Sequence, residues 1–78
     1  MPVTAYVLIQ TDVGRAAQVA QQVNAIDGVL VADGVTGPYD VIARTEAPSM
    51  NDLGRMVVRD IQRIEGITRT ITCPVVTI

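Results

Sequence analysis

The sequence predicts a small α+β domain whose strands and helices follow one another in the order βαββαβ. Four segments are rich in β-branched residues, and two segments between them repeat apolar residues with helical spacing. Each helical segment also ends in the same kind of junction, Ile26-Asp27-Gly28-Val29 in the first half and Ile64-Glu65-Gly66-Ile67 in the second. The chain is therefore predicted to consist of two strand–helix–strand units.

The first unit begins with a strand over Val3 to Gln10, which alternates between two faces. A helix is predicted from Val13 or Gly14 to Ile26. Its apolar stripe consists of Ala16, Val19, Ala20, Val23 and Ile26. Gly28 is expected to end this helix, because glycine is common just after a helix C-terminus.

A hairpin is predicted to join the two units. Its strands are expected over Val29 to Thr36 and Tyr39 to Glu46, with a turn at Gly37-Pro38. The short connection favours antiparallel pairing of these strands. Gly34, inside the first of them, suggests a β-bulge or a close backbone approach.

The second unit begins with a helix-capping pattern, Ser49 followed by Asp52. The helix is predicted to run to Ile64, with an apolar stripe of Leu53, Met56, Val57, Ile61 and Ile64. The last strand is predicted over Ile67 to Ile78, and Pro74 places it at a sheet edge or at a bulge. Two such units joined by a hairpin form the ferredoxin-like fold, a four-stranded antiparallel sheet with two helices on one face.

Size and composition predict one domain, residues 1–78, that assembles with further copies of itself. A core this small buries only about 60% of the surface of the unfolded chain. One cysteine and no histidine exclude a disulfide within the chain and argue against a structural zinc site, and no cofactor is expected. Tyr6 and Leu8 lie on the sheet face opposite Val7, so the face without helices is also apolar, and a second copy is expected to cover it. A monomer with scattered exposed apolar residues is the alternative.

Charge and terminal sequence predict a cytoplasmic protein that contacts neither nucleic acid nor membrane directly. The net charge is −2, and no basic stripe is present to attract phosphates. No apolar stretch is long enough to cross a bilayer, and no basic segment precedes the first apolar run as in a signal peptide. A lone thiol without a targeting segment fits the cytoplasm.

The segment Val35-Thr36-Gly37-Pro38-Tyr39-Asp40 resembles the hairpin of the effector-binding (RAM) domain of the Lrp/AsnC family. The resemblance begins at Ala5-Tyr6-Val7-Leu8-Ile9 and extends through the two junctions to Thr72. It implies dimers formed by sheet packing, an octamer of four dimers, and small effectors, typically amino acids, bound between dimers. It also implies a link to transcription regulation, with a full-length Lrp/AsnC regulator as a possible partner. Because the chain starts almost directly at the first strand, without a helix-turn-helix, we expect a stand-alone form of the domain.

The resemblance implies an effector site at Gly37, Tyr39, Asp40, Thr70 and Thr72. Asp40 can accept a charge-assisted hydrogen bond from a ligand ammonium, and Gly37 allows a close backbone approach. Tyr39 offers an apolar wall and a hydroxyl, and the two threonines would hold the polar end of the ligand. Each residue also has a structural interpretation: a turn, a bond to the turn backbone, interface packing, or ordinary strand residues.

Three other functions are compatible with the sequence. The same fold supports small dimeric α/β-barrel enzymes of the oxygenase or isomerase type, but the chain has no histidine and no evident nucleophile–base pair, so catalysis is not expected. An ACT-type sensor is a second alternative, because Thr11-Asp12-Val13-Gly14 is faintly similar to its first strand–helix loop. An assembly partner without a ligand is the third. Cys73 is predicted to be a small core residue.

Overall fold

A computed structural model describes residues 2–76 of the chain. Its elements are β1 (Val3–Thr11), α1 (Ala16–Asn24), β2 (Val29–Gly34), β3 (Val41–Ala47), α2 (Met50–Met56), a π-helical segment (Val57–Ile61) and β4 (Ile67–Pro74). The strands form one sheet in the order β2-β3-β1-β4, and every neighbouring pair is antiparallel. The predicted ferredoxin-like fold is confirmed.

The core lies between the helices and one face of the sheet. Ala5, Val7 and Ile9 alternate along β1 and are fully buried, as the period of two requires. The buried helical residues that pack with them are Val19, Val23, Leu53, Met56, Val57 and Ile61. These residues belong to the two apolar stripes predicted from the sequence. Thr45 is also buried, and its hydroxyl donates to Ala5 O at 2.9 Å, so this polar group is satisfied inside the core.

The two repeated junctions have the same structural role. Gly28 has a φ of +94°, and its carbonyl accepts a hydrogen bond from Glu46 N at 2.8 Å. The second junction repeats this arrangement, because Gly66 O accepts from Asp12 N at 2.8 Å. A Cβ added at Gly28 would lie 3.1 Å from Glu46 O, so this junction requires glycine for both conformation and space.

The hairpin strands are shorter than predicted. β2 ends at Gly34 instead of Thr36, and β3 begins at Val41 instead of Tyr39. The reason is a hydrogen bond from Val35 N to Asp40 O at 2.9 Å, which closes residues 35–40 into a loop. The bulge suggested at Gly34 is wrong: Gly34 pairs regularly with Val41, and the register shifts between Val29 and Val31, so that Leu30 is the extra residue.

Both helices are also shorter than predicted. α1 begins at Ala16, since Gly14 has a φ of +80° and the preceding residues form a turn from Arg15 N to Asp12 O. The Ser49 cap is confirmed by a 3.1 Å hydrogen bond from Asp52 N to Ser49 Oγ. α2 then widens into the π-helical segment, in which Gln62 N donates to Val57 O at 2.8 Å.

The last strand lies at the sheet edge, as Pro74 predicted. It ends at Pro74 and not at Ile78; residues 77 and 78 lie outside the described part of the chain. A register shift occurs instead near its beginning, where Gln10 pairs with Arg69 and Thr11 with Ile67. Thr68 is therefore the extra residue of a bulge in β4.

Within residues 2–76, the second face of the sheet carries no helix. Ile42, Leu8 and Ile71 lie side by side across β3, β1 and β4, and all three are half-buried. Next to them, the Tyr6 ring is 41% exposed, with the Arg44 guanidinium 5.9 Å from its centroid. We call this surface the open face.

Cys73 lies on the open face, and its predicted place in the core is wrong. It is exposed, because its partner in the register is Tyr6 and not one of the buried residues of β1. Among residues 2–76, no helix is long and apolar enough to cross a membrane.

Candidate effector site

The predicted site residues of the hairpin lie at one end of the sheet, next to the end of β1. Asp40 N donates to Ile9 O at 2.9 Å, and Ile9 pairs with Val41 on one side and Thr70 on the other. Neighbouring strands are about 4.8 Å apart, so Thr70 is about 10 Å from the hairpin strand. We call this end of the sheet the rim.

Asp40 is held by the backbone of β1. Its Oδ2 accepts a hydrogen bond from Thr11 N at 2.8 Å, and the residue is half-buried. This bond orients the carboxylate at the end of the strand. The other carboxylate oxygen of Asp40, Oδ1, accepts no side-chain hydrogen bond from residues 2–76. This oxygen is therefore available to a donor on a ligand. Asp40 therefore supports the hairpin and still presents an acceptor.

Gln10 holds the turn of the hairpin against β1 through a side-chain hydrogen bond. Its Nε2 donates to Pro38 O at 2.9 Å, which ties the turn to β1. Gly37 is exposed and has a φ of +132°. Apart from its two chain neighbours, no residue among 2–76 has an atom within 4 Å of an added Cβ, so its backbone can be approached freely. Tyr39 is half-buried beside it. Sequence reasoning missed Gln10, although a polar residue ending an apolar strand face was a usable signal.

Thr70 and Thr72 lie on the face of the sheet that the helices cover. They pair with Ile9 and Val7, whose side chains point to the helices. Thr70 Oγ1 accepts a hydrogen bond from Gln62 Nε2 at 2.9 Å, so this hydroxyl already contacts the segment after the π-helix. Thr72 is two residues further from the rim. One copy of the chain thus brings Gly37, Tyr39 and Asp40 together and leaves the two threonines on the edge strand.

In a single copy of the chain the rim is exposed at residues 36–38, whereas Tyr39 and Asp40 are half-buried. Three depressions of about 400, 390 and 400 Å³ lie elsewhere, two of them around Glu46 to Pro48 at the opposite end of the sheet and one on α2 around Gly54. None is lined by a predicted site residue. Residues 2–76 also contain no group of three His, Cys, Asp or Glu side chains placed to hold a metal ion.

The chain matches a known protein family. The family model of the Lrp/AsnC ligand binding domain matches residues 4–77, which is nearly the whole chain. The chain belongs to this family. The predicted resemblance is therefore confirmed, and the matched residues include the whole hairpin.

Individual relatives agree with this assignment. An uncharacterized HTH-type transcriptional regulator of Pyrococcus furiosus is 31% identical over 72 residues, which is 88% of this chain and 48% of that protein. The chain thus spans about half the length of the curated relatives it matches. A crystal structure of a Thermus thermophilus protein has a TM-score of 0.91 and 29% identity, over 97% of this chain and 95% of that one. A Neisseria meningitidis transcriptional regulator, solved as a complex with L-Met, shares the fold with a TM-score of 0.84 and 18% identity, over 96% and 50% of the two chains.

Proposed function

We propose that this Lrp/AsnC ligand-binding domain binds an amino acid at the rim of its sheet, forms oligomers, and takes part in transcription regulation. The observation that carries the proposal is the Asp40 carboxylate, whose Oδ2 accepts from Thr11 N at 2.8 Å and whose Oδ1 accepts no side-chain hydrogen bond within residues 2–76. An ammonium group is a suitable donor, because a charge-assisted hydrogen bond is short and about twice as strong as a neutral one.

Two observations support a small effector of this class. The family is a ligand-binding domain, and it matches residues 4–77. The Neisseria meningitidis regulator of the same fold was solved with L-Met. We propose by extension that residues 1–78 act as one effector-binding and oligomerisation domain, with a full-length Lrp/AsnC regulator as a partner and without direct contact to DNA or membrane.

The open rim favours a site completed by another copy. Ligand sites commonly bury most of the ligand surface, which an exposed rim in one chain does not do. The open face offers the first contact between copies, through Leu8, Ile42 and Ile71. Burial of apolar surface stabilises by about 25 cal/mol per Å², so pairing of these faces contributes several kcal/mol. We propose a sheet-to-sheet dimer and a ring of four dimers, with the effector held between dimers.

A thermal-shift screen against the twenty standard amino acids tests the proposal. A ligand present at a hundred times its Kd stabilises the folded protein by about 2.7 kcal/mol. Asp40→Asn retains an acceptor for Thr11 N and removes the charge, so it is expected to abolish the ligand shift and to leave the melting temperature without ligand nearly unchanged. Asp27→Asn, an exposed carboxylate at the opposite end of the sheet, is the matched control.

The same experiment separates the alternatives. A flat screen with the wild-type chain would contradict effector binding and favour a role in assembly alone, for which the open face is sufficient. A monomer in light scattering at micromolar concentration would contradict the assembly. Consumption of an amino acid, abolished by Asp40→Asn, would instead indicate an enzyme.

A further inference from the structure

Three polar side chains form a row across the rim. Gln10 on β1 is the register partner of Arg69 on β4. On its other side lies Asp40, because Ile9 pairs with Val41 and Asp40 N donates to Ile9 O. The amide and the cation therefore lie on adjacent strands, and the acid lies in the loop directly before the neighbouring strand β3.

Gln10 and Arg69 of this row belong to the open face and not to the core. Side chains alternate along a strand, so Gln10 and Arg69 share the face of their second neighbours Leu8 and Ile71. Those neighbours are apolar, and the row marks the point at which the open face becomes polar. The bulge at Thr68 is directly before Arg69, and bulges commonly re-aim a side chain next to a binding site.

Arg69 has no carboxylate partner among residues 2–76. Arg15, Arg55 and Arg59 each lie within 4.0 Å of a carboxylate, whereas the exposed Arg69 forms no such pair. Asp40 forms no ion pair in this part of the chain either. Gln10 lies between the two charged residues in the row. Its side chain already donates to Pro38 O and so holds the hairpin in place.

We propose that Arg69 binds the carboxylate of an α-amino acid whose ammonium is bound by Asp40. This inference rests on the proposed function and adds the residue that recognises the acidic end of the ligand. Two strand spacings separate the backbones of Asp40 and Arg69 by about 10 Å. The Arg69 side chain is long and exposed, so its guanidinium can reach the position at which an α-amino acid joins the two charged side chains through one charge-assisted hydrogen bond of about 2.8 Å at each end. The planar guanidinium also matches a carboxylate in a bidentate geometry.

The test compares each standard amino acid with its carboxamide, which keeps the ammonium and loses the negative charge. With the wild-type chain, calorimetric titration is expected to show that a bound amino acid has an affinity about tenfold or more above that of its amide. In Arg69→Gln this preference is expected to disappear, because the amino acid loses affinity while the amide does not. In Asp40→Asn both ligands are expected to weaken.

Two further variants keep the result interpretable. Arg63→Gln removes another exposed arginine outside the row and should keep the wild-type preference. If Arg69→Gln does not fold, Arg69→Lys replaces it in the test. Lysine retains the positive charge, so this variant is expected to keep part of the preference for the amino acid over its amide. If amino acids bind but Arg69→Gln still discriminates against the amides, the role of Arg69 is overturned and the proposed function stands. If no amino acid binds the wild-type chain, both are overturned.

Discussion

The side-chain amide of Asn24 makes two hydrogen bonds to the backbone of Ala32. Its Nδ2 donates to Ala32 O at 2.8 Å, and its Oδ1 accepts from Ala32 N at 2.9 Å. Ala32 lies on β2, an outer strand of the sheet, and no strand of the described part of the chain lies beyond this edge to pair with the two backbone groups. The end of α1 therefore completes the edge in place of a strand, which protects it from pairing with other chains.

We predict that Asn24→Ala destabilises the domain by about 1–3 kcal/mol, since a part-buried donor and acceptor lose their partners. The urea midpoint would fall, and the uncovered edge would promote aggregation on heating. Gln21→Ala, on the exposed surface of the same helix, should change neither property. An unchanged midpoint in Asn24→Ala would show that water replaces the side chain at no cost.

Two glycine substitutions should have opposite effects on stability. Gly28 has a φ of +94° and lies against Glu46 O, so Gly28→Ala is expected to cost more than about 1 kcal/mol. Gly54 lies inside α2, and outside the helix's own backbone no atom of residues 2–76 lies within 4 Å of an added Cβ. Gly54→Ala is therefore expected to stabilise the domain by about 0.5–1 kcal/mol. Chemical denaturation of both variants measures the difference. Equal effects would contradict the structural distinction between junction and helix.

A charge placed on the open face should break the proposed dimer and leave the fold intact. Leu8 points away from the helices, so Leu8→Glu does not enter the core. We expect a lower mass in size-exclusion chromatography with light scattering, and an unchanged circular dichroism spectrum. Val13→Glu alters a fully exposed loop residue and should keep the wild-type mass. An intact oligomer in Leu8→Glu would move the interface elsewhere.

The buried hydroxyl of Thr45 offers a test of the core. Thr45→Val keeps the shape of the side chain and removes the donor to Ala5 O. We expect a loss of about 1 kcal/mol, the usual net value of one hydrogen bond. Thr36→Val makes the same replacement at an exposed position and is the control for the exchange of a hydroxyl for a methyl group. A stabilised Thr45→Val would mean that the apolar gain exceeds the lost bond.

The sequence predicted element types better than element ends. Val19, Val23, Leu53 and Ile61 are all buried, as their helical spacing predicted. The ends of β2 and β3 were misplaced because they depend on the hydrogen bond from Val35 N to Asp40 O. That bond joins residues across a loop, and a periodic pattern does not contain it.

The candidate site follows the same division. The hairpin residues Gly37, Tyr39 and Asp40 were recognisable as a local motif, and the structure keeps them together. The threonines of β4 were also visible, but their face depends on the pairing of Thr70 with Ile9. Gln10 and Arg69 could not be paired from the sequence, since their pairing requires the register between the first strand and the last.

The sequence by itself determined the βαββαβ order, the two buried stripes, the glycine junctions and the family of the hairpin. Each of these depends on residues close together in the chain, where spacing and backbone preference act directly. Only the tertiary structure decided that Asn24 covers the edge at Ala32, that Cys73 faces outward, and that Asp40, Gln10 and Arg69 form one row. Those relationships depend on long-range strand register and helix packing, which are set when the whole chain buries its apolar surface.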